Sequence, residues 1–183
     1  EASDIRTRTV EEGKRTLVTP FLQLFLGTVL AGIARNALND ASQFAREHAR
    51  PIKHSSASRS VDDPYVELSV GDIAARAYGA EALVLKAAAT IDKAWAAQLD
   101  EAAVEQAALE VAQAQYLVAE LALKAAETVF DVGGASTTGR QHNLDRHWRN
   151  ARTVANHNPR QWKAAVVGAW QLKGTRPPVS GLF

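Results

Sequence analysis

Apolar residues recur along this chain in steps of three and four, the spacing of helices that bury one side. The clearest run is Asp100 to Phe130, where Val104, Ala107, Val111, Ala114, Val118, Leu121 and Ala125 form a heptad seam. Small residues on such a seam let neighbouring helices approach closely. A second run opens with Asp63 as an N-cap and Pro64 as the first helical residue. It carries Leu68, Ile73, Ala77, Ala80, Leu83, Val84, Ala87, Ile91 and Trp95, and predicts a helix to about Leu99. Gly71 and Gly79 interrupt it, each at about 1 kcal/mol relative to alanine. Nearer the N-terminus, Thr19 and Pro20 repeat the cap-then-proline start. There Leu22, Phe25, Leu26, Val29, Leu30, Ile33, Ala37, Ala41 and Phe44 keep helical spacing to about Ala49, and Pro51 ends the run.

The connections divide the rest. Residues 50–63 (RPIKHSSASRSVDD) are basic and serine-rich, and residues 131–143 (DVGGASTTGRQHN) are rich in glycine and hydroxyls. A short helix is expected over about Leu144 to Thr153, a break at His157-Asn158-Pro159, and a last helix from about Pro159 to Leu172. The expected fold is all-α: an up-and-down bundle of three long and two short helices. The expected boundaries are a strand-and-loop remnant over 1–18, the bundle over 19–175 and an extended tail over 176–183.

Composition narrows the classes. The chain has 183 residues, no cysteine, no methionine and a formal net charge of +1. That excludes a disulfide framework and thiolate chemistry, and gives no general attraction to nucleic acid or membrane surfaces. The missing start residue suggests a piece of a longer polypeptide, and the charged first fifteen residues do not read as a signal peptide. Leu17 to Ala34 is uncharged and long enough to consider as a membrane span. Gln23, a proline, two threonines and two glycines within it, with helical periodicity continuing past Arg35, favour a buried core helix. No transmembrane segment is expected.

Candidate chemistry gathers near the C-terminal end. The histidines at 48, 54, 142, 147 and 157 lack metal-ligand spacing, so no metal site is expected. Nothing resembles a nucleophile elbow. In the VGGAST segment, Gly133 and Gly134 would let backbone N–H groups approach an anion, with Ser136, Thr137 and Thr138 adding hydroxyls. The same residues also suit a glycine-closed helix connection. Arg50 and Arg59 either neutralise that anion or sit in water. Residues 140–163 hold six Lys/Arg and one acid, Asp145, but the long helices have no matching basic stripe, which argues against nucleic acid. His157, between two asparagines in an irregular break, suits proton transfer near neutrality. A capping histidine would look the same.

The order VGGAST, LDRHWRNART, HNP, a Trp-Lys helix and then GTRPP resembles the C-terminal helical domain of the acyl-CoA dehydrogenase superfamily. DDPYVELSVGDIAA and LVTPFLQLFLGTVLAGIARNAL extend the resemblance over nearly the whole chain. The nearest resemblance is to its flavin-dependent monooxygenase branch, which includes sulfur-acquisition oxidoreductases. The resemblance implies that residues 1–18 leave a preceding β-domain, and that Arg50, Gly133, Gly134 and Ser136 contact the flavin phosphate of a neighbouring subunit. It further implies a homo-oligomer, a dimer of dimers, working in the cytoplasm. In the dehydrogenases a glutamate near the position of Asn158 removes the substrate α-proton, which an amide cannot do. The alternative base position, within LFLGTV, also lacks a carboxylate. In the monooxygenases a histidine matching His157 assists oxygen activation, though the pattern there more often reads HDP than HNP. The implied activity is oxygenation of a small, organosulfur-type substrate with reduced FMN delivered by a separate flavin reductase. FAD is the alternative flavin. The alternative functions are an FAD-dependent acyl-CoA dehydrogenase and, from another class, a non-catalytic helical oligomerisation domain.

Overall fold

The computed structural model describes residues 15–181 and 183. Among them are five α-helices and no strand: α1 (Val18–Glu47), α2 (Pro64–Ala96), α3 (Glu101–Gly133), α4 (Asp145–Ala155) and α5 (Arg160–Lys173). The expected bundle of three long and two short helices is present. Most of the 1–18 remnant lies outside the described residues.

Local chemistry sets the helix ends. The Asp63 carboxylate accepts from Tyr65 N–H at 3.0 Å, with Pro64 starting α2. Asp100 accepts from Ala102 and Ala103 N–H at 3.1 and 3.2 Å and starts α3. Gln98 and Leu99 take φ values of +56° and +62°, turning the chain from α2 to α3. At the N-terminus the expected cap is displaced. Leu17 occupies the cap position and Val18 is already helical, so Thr19 and Pro20 lie in the first turn of α1. The helix α3 runs to Gly133, and a 3₁₀ turn over Gly134–Thr138 takes up part of the connection expected to be irregular.

The helix α3 is the axis of the fold, packing against all four other helices, and α4 packs on α1 as well. Alanines make this possible: Ala34, Ala37, Ala77, Ala80, Ala122 and Ala125 are fully buried, so the backbones approach with little side chain between them. Of the expected α3 seam, all but Leu121 are buried. The face of α1 differs from expectation in its first half. Gln23, Leu24 and Gly27 point inward, whereas Leu22 and Phe25 are 54% and 59% exposed. Leu68 and Trp95 of α2 also face out. By length and composition α1 is apolar enough to cross a membrane. In the bundle it is a core helix, with Leu30, Ala34, Ala37, Ala41 and Phe44 enclosed.

Among the described residues the segment after α5 forms no further helix or strand and is tied down. Arg15 donates to the carbonyls of Pro177 and Pro178, and Arg176 bonds Glu101 and Glu105 of α3. Phe183 is buried against Ala108, Leu109 and Ala112 of α3, edge-on to Trp162 with ring centroids 5.8 Å apart.

Candidate functional site

The two glycines of the VGGAST segment have different reasons to be glycine. A Cβ on Gly133 would lie 2.3 Å from Cε1 of the buried Phe44, so bulk is excluded there by packing against α1. Gly134 has φ +55° and ψ −137°, a conformation that side chains disfavour, and a Cβ there would meet nothing within 4 Å. Gly134 therefore presents backbone to open space. The neighbouring hydroxyls turn back into the 3₁₀ turn: Ser136, Thr137 and Thr138 donate to the carbonyls of Gly133, Gly134 and Ala135 at 2.6, 2.6 and 2.7 Å. Ser136 thus spends its proton within the turn, and the donors left for an anion are backbone N–H groups.

Gly133, Gly134 and Ser136 line a cleft of about 930 Å³ together with Arg50 and His48. All four expected anion contacts, Arg50, Gly133, Gly134 and Ser136, are brought together there, although Arg50 stands 83 positions before Gly133. Asp131, Tyr65, Leu68 and Ile52 complete much of the wall. The connection bearing Arg50 is fixed by Asp63, whose carboxylate accepts from Ile52 N–H at 2.7 Å while also capping α2. The Ile52 bond is the main reason its carboxyl titrates below the ordinary range. Among the described residues Arg50 makes no ion pair, whereas Arg59 is held by Asp62 at 2.7 Å. Behind the cleft the rings of Phe44, His48 and His142 cluster, with centroids 5.0 to 5.6 Å apart.

His157 is elsewhere. It is exposed, one residue beyond the C-cap of α4, and its N–H bonds the Val154 carbonyl at 3.1 Å. The next residue, Asn158, is buried and donates from Nδ2 to Oε1 of the equally buried Gln23 on α1. Gln23 and Phe44 mark the two ends, 21 residues apart on one helix. At about 1.5 Å per residue this separates the His157 break from the glycine cleft by roughly 30 Å. One chain therefore holds its two candidate sites at opposite ends.

Sequence reasoning missed one buried polar cluster. Asp40 of α1 accepts from Arg146 and contacts Nε2 of the buried His147 at 2.7 Å, clamping α4 onto α1. Burial pushes the imidazole below its ordinary value against the opposing pull of Asp40, with Arg146 adding to the depression. No spacing rule links residues 107 positions apart, so the chain gave no signal of it. Three of the six cations of 140–163 are paired with carboxylates: Arg146 with Asp40, Arg149 with Asp145 and Arg160 with Glu120. Among the described residues no three potential metal ligands converge.

Residues 24–162 match the family of acyl-CoA dehydrogenase C-terminal domains, and the chain belongs to that family. Within it the similarity is to flavin monooxygenases. The dibenzothiophene monooxygenase of Mycolicibacterium goodii is 32% identical over 92% of this chain and 41% of its own. A probable FMNH2-dependent monooxygenase of Pseudomonas putida, SfnC, is 33% identical over 90% of this chain and 44% of its own. The crystal structure of FMN-bound TdsC from Paenibacillus sp. A11-2 superposes with a TM-score of 0.84 at 31% identity, covering 90% of this chain and 42% of that one. The chain spans less than half the length of these relatives.

Proposed function

We propose that this chain is the C-terminal helical domain of a cytoplasmic, reduced-flavin-dependent monooxygenase acting on a small organosulfur compound. FMN is the favoured cofactor, supplied reduced by a separate flavin reductase. Residues 1–18 lead from a preceding β-domain, and the whole enzyme is a homo-oligomer. The observation that carries this reading is the His157-Asn158 break. A dehydrogenase needs a carboxylate there to remove an α-proton, and Asn158 is an amide buried on Gln23. Glu120 of α3 is bound to Arg160 at the start of α5, two positions beyond Asn158. His157 remains exposed and able to donate or accept a proton.

The cleft fits the phosphate end of a flavin. Arg50 is an uncommitted cation in its wall, and the Gly134 backbone opens onto space no side chain fills. Bound there, the flavin supplies electrons and the carbon framework on which oxygen is activated. In this chain Arg50 would neutralise the phosphate, the N–H groups around Gly134 would orient it, and His157 would hold or release a proton at the reacting end. Because the two sites stand roughly 30 Å apart on α1, they serve two different flavins. Each cofactor is then shared between copies of the chain, consistent with a dimer of dimers.

The test uses the full-length protein. Reduced FMN is bound anaerobically, mixed with oxygen in a stopped-flow spectrometer, and compared with His157→Ala. The expected result is a transient absorbance, distinct from reduced and oxidised flavin, that the variant loses or shortens. Direct reoxidation in both proteins, together with reduction of a tightly bound FAD by an acyl-CoA, would establish the dehydrogenase instead.

A further inference from the structure

We infer that Asn158 and Gln23 are positioning residues for His157, acting as a buried amide clamp that fixes the break between α4 and α5 to α1. The inference rests on the monooxygenase reading for the role of His157, but the clamp itself is a matter of geometry. Residues 156–158 bond backward only into the last turn of α4, through Asn156 N–H to the Arg152 and Thr153 carbonyls and His157 N–H to the Val154 carbonyl. Among the described residues, the recorded long-range hydrogen bond from these three positions is the one from Asn158 to Gln23, 135 positions away. Arg160, on Glu120, anchors the start of α5 but lies beyond Pro159. The orientation of His157 is therefore set one residue away, by a side chain that is 5% exposed and pinned to another that is 5% exposed.

Packing alone does not require this pair. Gln23 occupies an inward position of an otherwise apolar helix face, between Pro20 and Leu24. The Asn158 Oδ1 is buried with no partner, an uncompensated desolvation that an apolar pair of similar size would avoid. A buried polar pair that leaves one oxygen unbonded, one residue from an exposed histidine, is suited to fixing that histidine's position rather than to adding stability.

The experiment uses the full-length enzyme carrying Asn158→Ala, Gln23→Leu and Asn158→Asp, each alone and in a His157→Ala background. Asn158→Ala and Gln23→Leu should each lower kcat for oxygenation about tenfold with KM little changed, the pattern of lost transition-state alignment. Added to His157→Ala, neither should lower kcat further, because both act through the imidazole. Asn158→Asp should restore most of the rate, since Gln23 can turn its amide to donate to the carboxylate. Independently of flavin, hydrogen–deuterium exchange should accelerate over residues 154–161 in Asn158→Ala and in Gln23→Leu, with α3 unchanged. Losses that multiply with His157→Ala, or unaltered exchange over 154–161 in both variants, would overturn the clamp. Absence of any oxygenated product from the wild-type enzyme would instead refute the monooxygenase reading, leaving the exchange result to decide the clamp by itself.

Discussion

Adjacent glycines show how one motif can serve two ends. At Gly133 the constraint is the Phe44 ring, 2.3 Å from where a Cβ would be, and at Gly134 it is the backbone, at φ +55°. Gly133→Ala should therefore destabilise by about 1–3 kcal/mol through overpacking. Gly134→Ala should cost about 1–3 kcal/mol through backbone strain alone. Denaturant midpoints separate the causes. In a Phe44→Leu background the Gly133→Ala penalty should shrink substantially, because the smaller side chain yields, while the Gly134→Ala penalty should persist. Equal penalties in both backgrounds would mean that Phe44 is not what excludes the methyl group. The sequence showed that both positions favour glycine and could not show why. Phe44 is 89 positions from Gly133, and a φ value is not written in a GG pair.

Among elements, the connection between α1 and α2 depends on a single carboxylate. Asp63 caps α2 and holds Ile52 N–H, so it also fixes the segment from which Arg50 reaches the cleft. Its folded pKa is depressed below 3.8, chiefly by the Ile52 N–H, against the opposing effect of burial. The unfolded chain thus binds a proton more readily than the folded one. The stabilisation is present in full above pH 3.8 and is lost as pH falls through the lower folded value. Asp63→Asn should lower the thermal midpoint by a few degrees near pH 6 and flatten its dependence on pH below 4. It should also weaken protection of the protein by inorganic phosphate, because Arg50 loses its anchored backbone. An unchanged acid limb would show that Asp63 is not ionised in the fold. The cap was legible in the Asp-Pro pair. The second bond, reaching back 11 residues to Ile52, was not. The α3 seam was legible, Leu121 apart, because its valines and alanines recur in steps of three and four, although Ala108, Leu109 and Ala112 beside it are buried as well. The first half of α1 was misread because it is apolar on nearly every side. Hydrophobicity cannot choose a face there, and the inward face carries Gln23, whose partner Asn158 lies 135 residues away.

At the scale of the whole molecule, the separation of the two candidate sites becomes a statement about assembly. A cleft at one end of α1 and a histidine at the other, roughly 30 Å away, cannot grip one mononucleotide from the same chain. The bundle also leaves Phe21, Leu22 and Phe25 of α1 and Tyr65, Tyr78 and Leu85 of α2 exposed. Both facts fit a domain covered by other parts of its own enzyme. Subunit mixing tests the shared site directly. In a two-fold pair, each flavin would meet the cleft of one copy and His157 of the other. Full-length Arg50→Glu, defective in the cleft, and His157→Ala, defective at the break, should each be nearly inactive alone. Co-assembled at random, half the pairs are mixed, and each mixed pair holds one site with both halves intact and one with both lost. Activity should recover to about a quarter of wild type. If each site were built within one chain, every site in the mixture would carry one lesion, and activity would stay at the level of the separate variants.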